Sequence, residues 1–404
     1  MSTRHPRYPL PRRLHFAAFA TLAALAAGPA HALDTQREDV AAFVARMSAN
    51  QGFDAAELTA LLARVESRPA IIESISRPAE KTLTWQEYRA RFVTARRIAR
   101  GIEVAGAQAA ALAQAAAAGV PAEYLLAITG VETFYGEITG KYRVIDALAT
   151  LAFDYPPRSR FFREQLEQYL LMAREESLDA LAPLGSYAGA MGIPQFMPGS
   201  FRTFAVDGDG DGRRDLWGDW SDVFASVSNY LLRNGWRPGE PVMARADVSG
   251  ARLDGLPDDR LALSETVQSL RDRGVLFETS LPPGAPAVLI PLDAAEGVEY
   301  RVGFSNYQAI TRYNRSALYA SAVNDLAEAL ATATVGEAVD AAGATPAISA
   351  APAASAVDEA PTTPAIDATG SVDAAKPVEA APGPAPRFSF ESISSTPSTP
   401  STPK

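Results

Sequence analysis

The sequence of 404 residues contains no cysteine, and its only three histidines, His5, His15 and His31, lie within the first 32 residues. If that segment is removed, the remaining chain has neither residue type. It then lacks cysteine nucleophiles, serine–histidine–aspartate relays, disulfides, and thiolate or imidazole metal ligands. Proton transfer is left to carboxylates, lysine and tyrosine.

The first 32 residues have the three parts of a secretion signal in the expected order. Four arginines precede an apolar run at Leu14–Ala27, and Ala30-His31-Ala32 follows as a small-x-small cleavage site. The alternative is a short membrane anchor, but the apolar run is shorter than the roughly 20 residues needed to span a bilayer. We therefore predict a signal peptide at 1–32, cleaved after Ala32, and a periplasmic protein.

The chain that follows the leader is acidic. Removing the leader takes away four arginines and no acidic residue, so the formal charge changes from −10 to −14. Of this, −9 lies on residues 33–330. Such a balance argues against nucleic-acid binding, and no later apolar stretch reaches membrane-spanning length.

Composition divides the mature chain into a folded body at 33–330 and a tail at 331–404. The tail is rich in alanine, proline, threonine and serine, so we predict that it is disordered. It is either a spacer or a neutral extension. The body is predicted to be mainly helical (α+β), with a small β insertion at about 280–305 formed by strands at 287–290 and 300–302.

Helical periodicity and capping signals place the main helices. Thr84 and Glu87 form a capping box that predicts one long helical stretch towards Ala118. Pro121 suits the first position of a helix that reaches Glu132 and ends by Gly136. Further helices are expected at 35–49, 54–66, 160–176, 221–234, 259–273 and 315–330.

Glu132 is a single carboxylate near the C-terminal end of an otherwise apolar helix. Burial beside residues such as Ile128 and Phe134, together with the negative end of the helix, predicts a raised pKa and a general acid. The alternative is a solvated residue at a helix end.

Three further segments carry weaker signals. Residues 185–198, rich in glycine, form either a cleft wall or a tight packed connection. The aromatic and amide groups of 310–316 could stack on a sugar. The arginines of the third segment, which we interpret as a solvated helix face, are Arg96, Arg97 and Arg100.

The segment Asp207-Gly208-Asp209-Gly210-Asp211-Gly212-Arg213 resembles the first half of an EF-hand loop. Acidic oxygens at positions 1, 3 and 5, a glycine at 6 and a carbonyl at 7 suit Ca²⁺. Position 12 is Gly218, so a later acid, Asp219 or Asp222, must close the site. The alternative is an Asp/Gly surface turn.

Five motifs occur together in the order and spacing of the membrane-bound lytic murein transglycosylase B family, its soluble form included. They are GVETFYGEITGKYRVIDALATLAFDYP, GSYAGAMGIPQFMP, DGDGDGRRDLW, NYLLRNGW and ITRYN. The resemblance covers most of 35–330. It implies a lysozyme-like helical catalytic core with an α domain, a small β subdomain and an EF-hand-like calcium loop.

The resemblance also implies roles for individual residues. Glu132 matches the catalytic acid/base, and Arg158 matches an arginine near the cleft, although Pro157 stands where a second basic residue can occur. The positions that match substrate-contacting residues are Ser186, Gln195, Tyr230, Tyr313, Asn314 and Tyr319. Those that match structural calcium ligands are Asp207, Asp209, Asp211, Arg213 through its carbonyl, and Asp222.

By the same resemblance, the substrate is the glycan of peptidoglycan, cleaved at the β-1,4 bond between N-acetylmuramic acid and N-acetylglucosamine. A 1,6-anhydromuramoyl end forms without water, so one glutamate serves as acid and then base. No organic cofactor is expected, and membership of a cell-wall synthesis complex stays open. The alternatives are a hydrolytic muramidase that uses Asp146 or Asp154 as a second acid, and a non-catalytic, calcium-stabilised peptidoglycan-binding protein.

Overall fold

The computed structural model describes residues 31–76, 83–294 and 296–343, with side chains as far as Thr334. The predicted leader falls outside this part except for its last two residues, and residues 344–404 of the predicted tail also lie outside it. No helix within the described ranges is both long and apolar enough to cross a membrane.

Helices make up most of the described chain, as the periodicity predicts. The α-helices are α1 (Glu38–Gln51), α2 (Ala55–Leu62), α3 (Pro69–Ser76), α4 (Trp85–Phe92), α5 (Ala95–Ala107), α6 (Ala109–Ala116), α7 (Ala122–Thr133), α8 (Val144–Asp154), α9 (Ser159–Glu175), α10 (Pro198–Phe204), α11 (Trp220–Arg233), α12 (Val267–Asp272), α13 (Ser305–Tyr313) and α14 (Ala317–Gly343). A 3₁₀ turn, Pro156–Arg158, joins α8 to α9.

The capping box at Thr84 and Glu87 is confirmed, with both reciprocal hydrogen bonds present. The single long helix predicted after it is wrong, because the chain forms α4, α5 and α6 in succession. Thr94 supplies the reason for the first break, since its side chain accepts from the backbone N–H of Arg97 at 3.1 Å and begins a new helix. Gln108 separates α5 from α6.

Helix α7 is the buried centre of the helical part. All nine residues from Leu125 to Thr133 are buried, and α7 packs against α5, α6, α11 and α14. It ends earlier than the predicted stop at Gly136. Phe134 and Tyr135 take the left-handed conformation, at φ 52° and 59°, and the N–H of Tyr135 donates to the carbonyl of Thr129 at 3.1 Å, which closes the helix end.

The β part is larger than the predicted insertion. The strands are β1 (His31–Ala32), β2 (Glu66–Ser67), β3 (Tyr142–Arg143), β4 (Leu184–Gly185), β5 (Met243–Ala246), β6 (Glu265–Thr266), β7 (Pro286–Ala294) and β8 (Gly297–Gly303). The predicted hairpin is β7–β8, and two earlier strands flank it to give the antiparallel order β5-β8-β7-β6. The helix predicted at 259–273 begins only at Val267, because β6 precedes it.

A buried ion-pair cluster fastens this four-stranded sheet to the helices. Arg301 of β8 makes a two-pronged contact with Asp325 of α14, and Arg89 of α4 donates to the same carboxylate at 2.6 Å. Trp85 packs under the guanidinium of Arg301 at 4.9 Å. The bonds to both arginines outweigh burial and hold the pKa of Asp325 below its usual value.

The disorder predicted from residue 331 begins too early. Helix α14 continues through 331–343, where alanine is the commonest residue type and no proline interrupts the chain. Alanine has the highest helix propensity. Residues 331–343 can therefore extend an existing helix, although their side chains are mostly too small to form a hydrophobic core.

Candidate functional site

Glu132 lies in the last turn of α7 and is only 4% exposed. The Tyr319 hydroxyl, from α14, donates to Oε1 of Glu132 at 2.6 Å. Tyr319 is itself buried. The structure therefore excludes the solvated helix end that was the alternative for Glu132, and it places the carboxyl group in an apolar surrounding with a fixed phenol donor.

Two more of the predicted tyrosines accompany this pair. The rings of Tyr230, from α11, and Tyr313, at the end of α13, lie 4.7 Å apart. Their hydroxyls donate to main-chain carbonyls, Tyr230 to Arg312 at 2.6 Å and Tyr313 to Pro194 at 2.5 Å. Both hydroxyl protons are therefore used inside the protein.

The tyrosines around Glu132 remain protonated over the physiological pH range. Burial raises the pKa of Tyr230, Tyr313 and Tyr319 far above the usual value, and the negative charge of Glu132 adds to the effect at each. Tyr319 therefore keeps the hydroxyl proton that it donates to Glu132.

The glycine-rich segment, 185–198, is tightly packed, and it contains the predicted substrate contacts Ser186 and Gln195. Ser186 Oγ accepts from the N–H of Ala190 at 3.0 Å. Gln195, in the left-handed region at φ 51°, donates to the carbonyl of Thr139 at 3.1 Å. A Cβ on Gly140 would lie 2.0 Å from the carbonyl oxygen of Gly185, so only glycine allows the approach that brings both segments together.

Thr133 is a residue that the sequence analysis missed. Its hydroxyl donates to the carbonyl of Ile193 at 2.8 Å and accepts from the N–H of Gly136 at 3.0 Å. It thus ties the end of the helix that carries Glu132 to the glycine-rich segment. The signal available in the sequence was a polar threonine directly after the candidate acid, at the end of an otherwise apolar helix.

The last two predicted substrate contacts, Asn314 and Arg158, lie in different surroundings. Asn314 follows Tyr313 and is buried, so it belongs to the same neighbourhood. Arg158 lies in the turn after α8, where its guanidinium stacks over the rings of Phe161 and Phe162 at 4.5 and 5.3 Å.

The solvated face predicted for the arginines of α5 is wrong for Arg97. Its guanidinium lies 5.2 Å from the ring centre of Phe92 and 5.0 Å from that of Phe134. Burial lowers its pKa to about 10. Arg96 and Arg100 do reach Glu137, at 3.9 and 3.0 Å.

The two acids of the hydrolytic alternative are engaged in structural ion pairs. Asp146 has no exposed surface and is bound by Arg143 at 2.8 Å and Arg68 at 3.2 Å. Asp154 accepts from Arg37. Both carboxylates hold segments of the chain together.

The acidic loop brings its first three aspartates together, with carboxylate oxygens of Asp207, Asp209 and Asp211 within 4.8 Å of one another. Backbone amides of Gly210 and Gly212 donate to Asp207 at 2.7 and 2.8 Å. Burial alone would raise the pKa of Asp207, but these amides hold it below the usual value. The carboxylate of Asp207 is thus kept ionised, as metal binding requires.

The two candidates for the closing acid have different places. Asp219 caps α11, accepting from the N–H groups of Ser221 and Asp222. Asp222 is 1% exposed and accepts from the N–H groups of Gly208 and Asp215, both at 2.6 Å. Burial raises the pKa of Asp222. Asp222 therefore joins the two ends of the loop, although it is not among the three acids whose carboxylate oxygens lie within 4.8 Å of one another.

Comparison with known proteins agrees with this architecture. A family model described as "Transglycosylase SLT domain" matches residues 35–328. The membrane-bound lytic murein transglycosylase B of Escherichia coli (strain K12) is 37% identical over 303 residues, which cover 72% of this chain and 82% of that protein.

Solved structures give the same result. The catenated lytic transglycosylase SltB1 from Pseudomonas aeruginosa is 44% identical, with a TM-score of 0.70, covering 73% of this chain and 98% of its own. The Escherichia coli lytic transglycosylase Slt35, solved in complex with calcium, is 36% identical, with a TM-score of 0.67, covering 75% of this chain and 96% of its own. The chain, mainly helical and lysozyme-like in fold, therefore belongs to the lytic murein transglycosylase B family of enzymes.

Proposed function

We propose that the protein is a lytic transglycosylase that cleaves the β-1,4 bond between N-acetylmuramic acid and N-acetylglucosamine in peptidoglycan and so takes part in cell-wall turnover. The observation that carries the proposal is the carboxyl group of Glu132, buried at the end of an apolar helix and bonded to Tyr319. Family membership supplies the substrate class.

In this mechanism, Glu132 first protonates the leaving glycosidic oxygen. The C6 hydroxyl of the same muramic acid then attacks the anomeric carbon, and the Glu132 carboxylate takes the proton of that hydroxyl. A 1,6-anhydro ring closes and no water is consumed. Because nucleophile and reaction centre belong to one sugar, the step has the entropic advantage of an intramolecular reaction.

One carboxylate is enough for this chemistry, whereas ordinary glycosidases need two. The engagement of Asp146 and Asp154 in arginine pairs supports the single-acid mechanism over the hydrolytic one. Substrate contacts are assigned to the rings of Tyr230 and Tyr313 and to four other residues. These are Ser186, Gln195, Asn314 and Arg158.

The acidic loop is proposed to hold a structural Ca²⁺. Its ligands would be the carboxylates of Asp207, Asp209, Asp211 and Asp222 and the carbonyl of Arg213. All are hard oxygen donors of the type that calcium prefers, and the related Slt35 has been solved in complex with calcium.

The place of action follows from the substrate. Peptidoglycan lies outside the cytoplasmic membrane, so the enzyme must be exported, and we assign this to the leader at 1–32, with cleavage after Ala32. In the structure, His31–Ala32 pair with Glu66–Ser67 as a short two-stranded sheet. Cleavage at the proposed site would remove β1 and leave the bond from the N–H of Leu33 to the carbonyl of Val65.

Mass spectrometry of the products from purified sacculi tests the proposed reaction. The full-length mature protein should release muropeptides that end in 1,6-anhydromuramic acid, with no label taken up from isotopically labelled water. Reducing muramic ends that carry the label would show hydrolysis instead, and an absence of released fragments would show a binding protein.

A further inference from the structure

A cavity of about 280 Å³ lies between α5, the turn that follows α7, and the segment that leads into α11. None of the residues assigned to substrate or calcium lines it. Its polar and aromatic lining comes from Arg100, Gln108, Tyr135, Glu137, Trp217 and Trp220. Its volume is near the lower end of the range for small-ligand sites, roughly 300–1,000 Å³, so it suits one small ring system.

The two tryptophans give the cavity flat apolar surface. Trp217 and Trp220 are both half-buried, so each leaves part of its side chain accessible. The indole N–H of Trp217 already donates to the carbonyl of Leu184 at 3.2 Å, and Trp220 is braced against Phe224, with ring centres 5.0 Å apart. Fixed, half-buried indoles that line a cavity suit a ligand with a flat apolar side.

The polar groups of the cavity are planar and nearly balanced in charge. Arg100 pairs with Glu137 at 3.0 Å and with Glu103 at 2.9 Å, so its positive charge is already compensated. Gln108 adds a neutral amide that can both donate and accept. This set can bond to hydroxyl and amide groups, but it offers no uncompensated cation to an anionic ligand.

A sugar ring combines a flat face of C–H groups with a rim of hydroxyls, and N-acetylglucosamine also carries an amide and has no charge. We propose that this cavity is an accessory site for one neutral N-acetylhexosamine residue, stacked on an indole and bonded by the planar polar groups. Binding here does not depend on the cleavage reaction or on Glu132.

The cavity adjoins the active site through shared backbone. Glu137 and Tyr135 belong to the turn that ends α7, three to five residues after Glu132. Ile193, which also lines the cavity, accepts through its carbonyl from Thr133. A sugar bound here would therefore hold a glycan close to the catalytic helix at a point separate from the cleavage site.

The experiment uses the small number of tryptophans in the chain as reporters. The protein has four, and the other two, Trp85 and Trp236, are buried elsewhere. Full-length mature protein labelled with fluorotryptophan is titrated with the methyl glycoside of N-acetylglucosamine and followed by fluorine NMR. Single Trp→Phe variants assign the four signals.

We expect saturable shifts of the Trp217 and Trp220 signals, with those of Trp85 and Trp236 unchanged. Ala107→Phe places a ring in the exposed lining of the cavity and should weaken the binding at least about tenfold. Ala110→Phe, on a neighbouring exposed position of α6 outside the lining, should leave it unchanged. Unaltered Trp85 and Trp236 signals and retained release of muropeptides show that both variants are folded.

Three results would overturn the proposal. The first is an absence of any response of the Trp217 and Trp220 signals to the sugar, and the second is sugar binding by Ala107→Phe that equals that of the parent protein. A saturable response to an acidic peptide in place of the sugar would assign the cavity to peptide stems instead. Each of these outcomes is independent of whether the enzyme forms 1,6-anhydro ends.

Discussion

The two carboxylate centres of this protein are built in opposite ways. Glu132 is buried and accepts from the phenol of Tyr319. Asp207, Asp209 and Asp211 lie in a largely exposed loop and accept from backbone amides two to five residues further along the chain. The comparison teaches that the surroundings of a carboxylate decide which of the two proposed roles, proton donor or metal ligand, it suits.

The tyrosines extend this difference. The donor to Glu132 is Tyr319 of α14, and the neighbouring tyrosines come from α11 and α13, so the site exists only when distant parts of the chain are packed. In the loop the donors are the next few residues, so most of its geometry is local. Damage to the first centre should therefore appear in catalysis, and damage to the second in stability.

The largest expected effect is the loss of the acid itself. Glu132→Gln should lower the rate of glycan cleavage about 10²–10⁴-fold, because glutamine cannot transfer a proton, while the melting temperature stays close to that of the parent protein. Release of muropeptides from sacculi measures the rate. Glu123→Gln, in the first turn of the same helix, is the matched control and should remain active. Equal activity of the two variants would exclude Glu132 as the acid.

Alkaline pH should break the packed centre first. In the unfolded chain tyrosines ionise near pH 10, whereas burial keeps Tyr230, Tyr313 and Tyr319 protonated in the fold. Because the pKa of each phenol is higher in the folded than in the unfolded protein, its contribution to stability is complete below pH 10 and is lost as the pH rises further. By about pH 11 each phenol should lower the free energy of unfolding by about 1.4 kcal/mol, or the three together by about 4 kcal/mol.

Urea unfolding at about pH 9 and about pH 11 measures this fall in the free energy of unfolding. Tyr319→Phe has one buried phenol fewer, so its fall should be smaller by about 1.4 kcal/mol. If the free energy of unfolding falls equally in the variant and in the parent protein, the ionisation of Tyr319 does not contribute to the loss of stability at alkaline pH.

Calcium should act on stability alone. With free calcium at about 100 times its dissociation constant, binding adds about 2.7 kcal/mol, which corresponds to a melting temperature higher by roughly 5–10 °C. A chelator should remove the increase and added Ca²⁺ should restore it. Asp209→Asn should reduce the response, and Asp258→Asn, on a fully exposed residue elsewhere, should not. Superimposable melting curves with chelator and with calcium would refute the site.

The smallest effect is expected from the phenol that holds the acid. Tyr319→Phe removes the donor to Glu132 and should slow cleavage about tenfold, as expected for the loss of about 1.4 kcal/mol. The alkaline limb of the pH–rate profile should move to higher pH, because the ionised carboxylate loses a stabilising bond.

Tyr124→Phe is the control for this variant. Tyr124 also joins α7 to α14, with its hydroxyl donating to Asn324 at 3.0 Å, but it does not contact Glu132. A shift of the pH–rate profile in both variants would assign the effect to helix packing.

Local signals in the sequence were sufficient for the features that depend on neighbouring residues. The capping box at Thr84, the helix that carries Glu132 and the β7–β8 hairpin are of this kind. The acidic loop is another, since its glycines and aspartates alternate within seven residues. In each case the residues that decide the conformation are close together in the chain, so their spacing is informative.

Contacts between residues that are far apart in the chain could not be predicted from local sequence patterns. Tyr319 and Glu132 are 187 residues apart, and their hydrogen bond depends on how α14 packs against α7. The family resemblance named Tyr319 as a substrate contact, but it did not reveal the bond to Glu132. The same limit applies to Thr133, whose partner is a carbonyl of another segment, and to Arg97, whose surroundings are aromatic rings from two elements.

Helix α14 carries two anchors, Tyr319 on Glu132 and Asp325 on Arg301 of the sheet, six residues or about 9 Å apart along one rigid axis. The sheet and the Glu132 carboxyl group are therefore not independent modules. A β subdomain taken from a relative and grafted onto this core would have to bring an arginine that matches Asp325. Without it, the buried carboxylate of Asp325 would lose one of its two cations, and the graft would disturb Tyr319 and its bond to Glu132 less than two helical turns away.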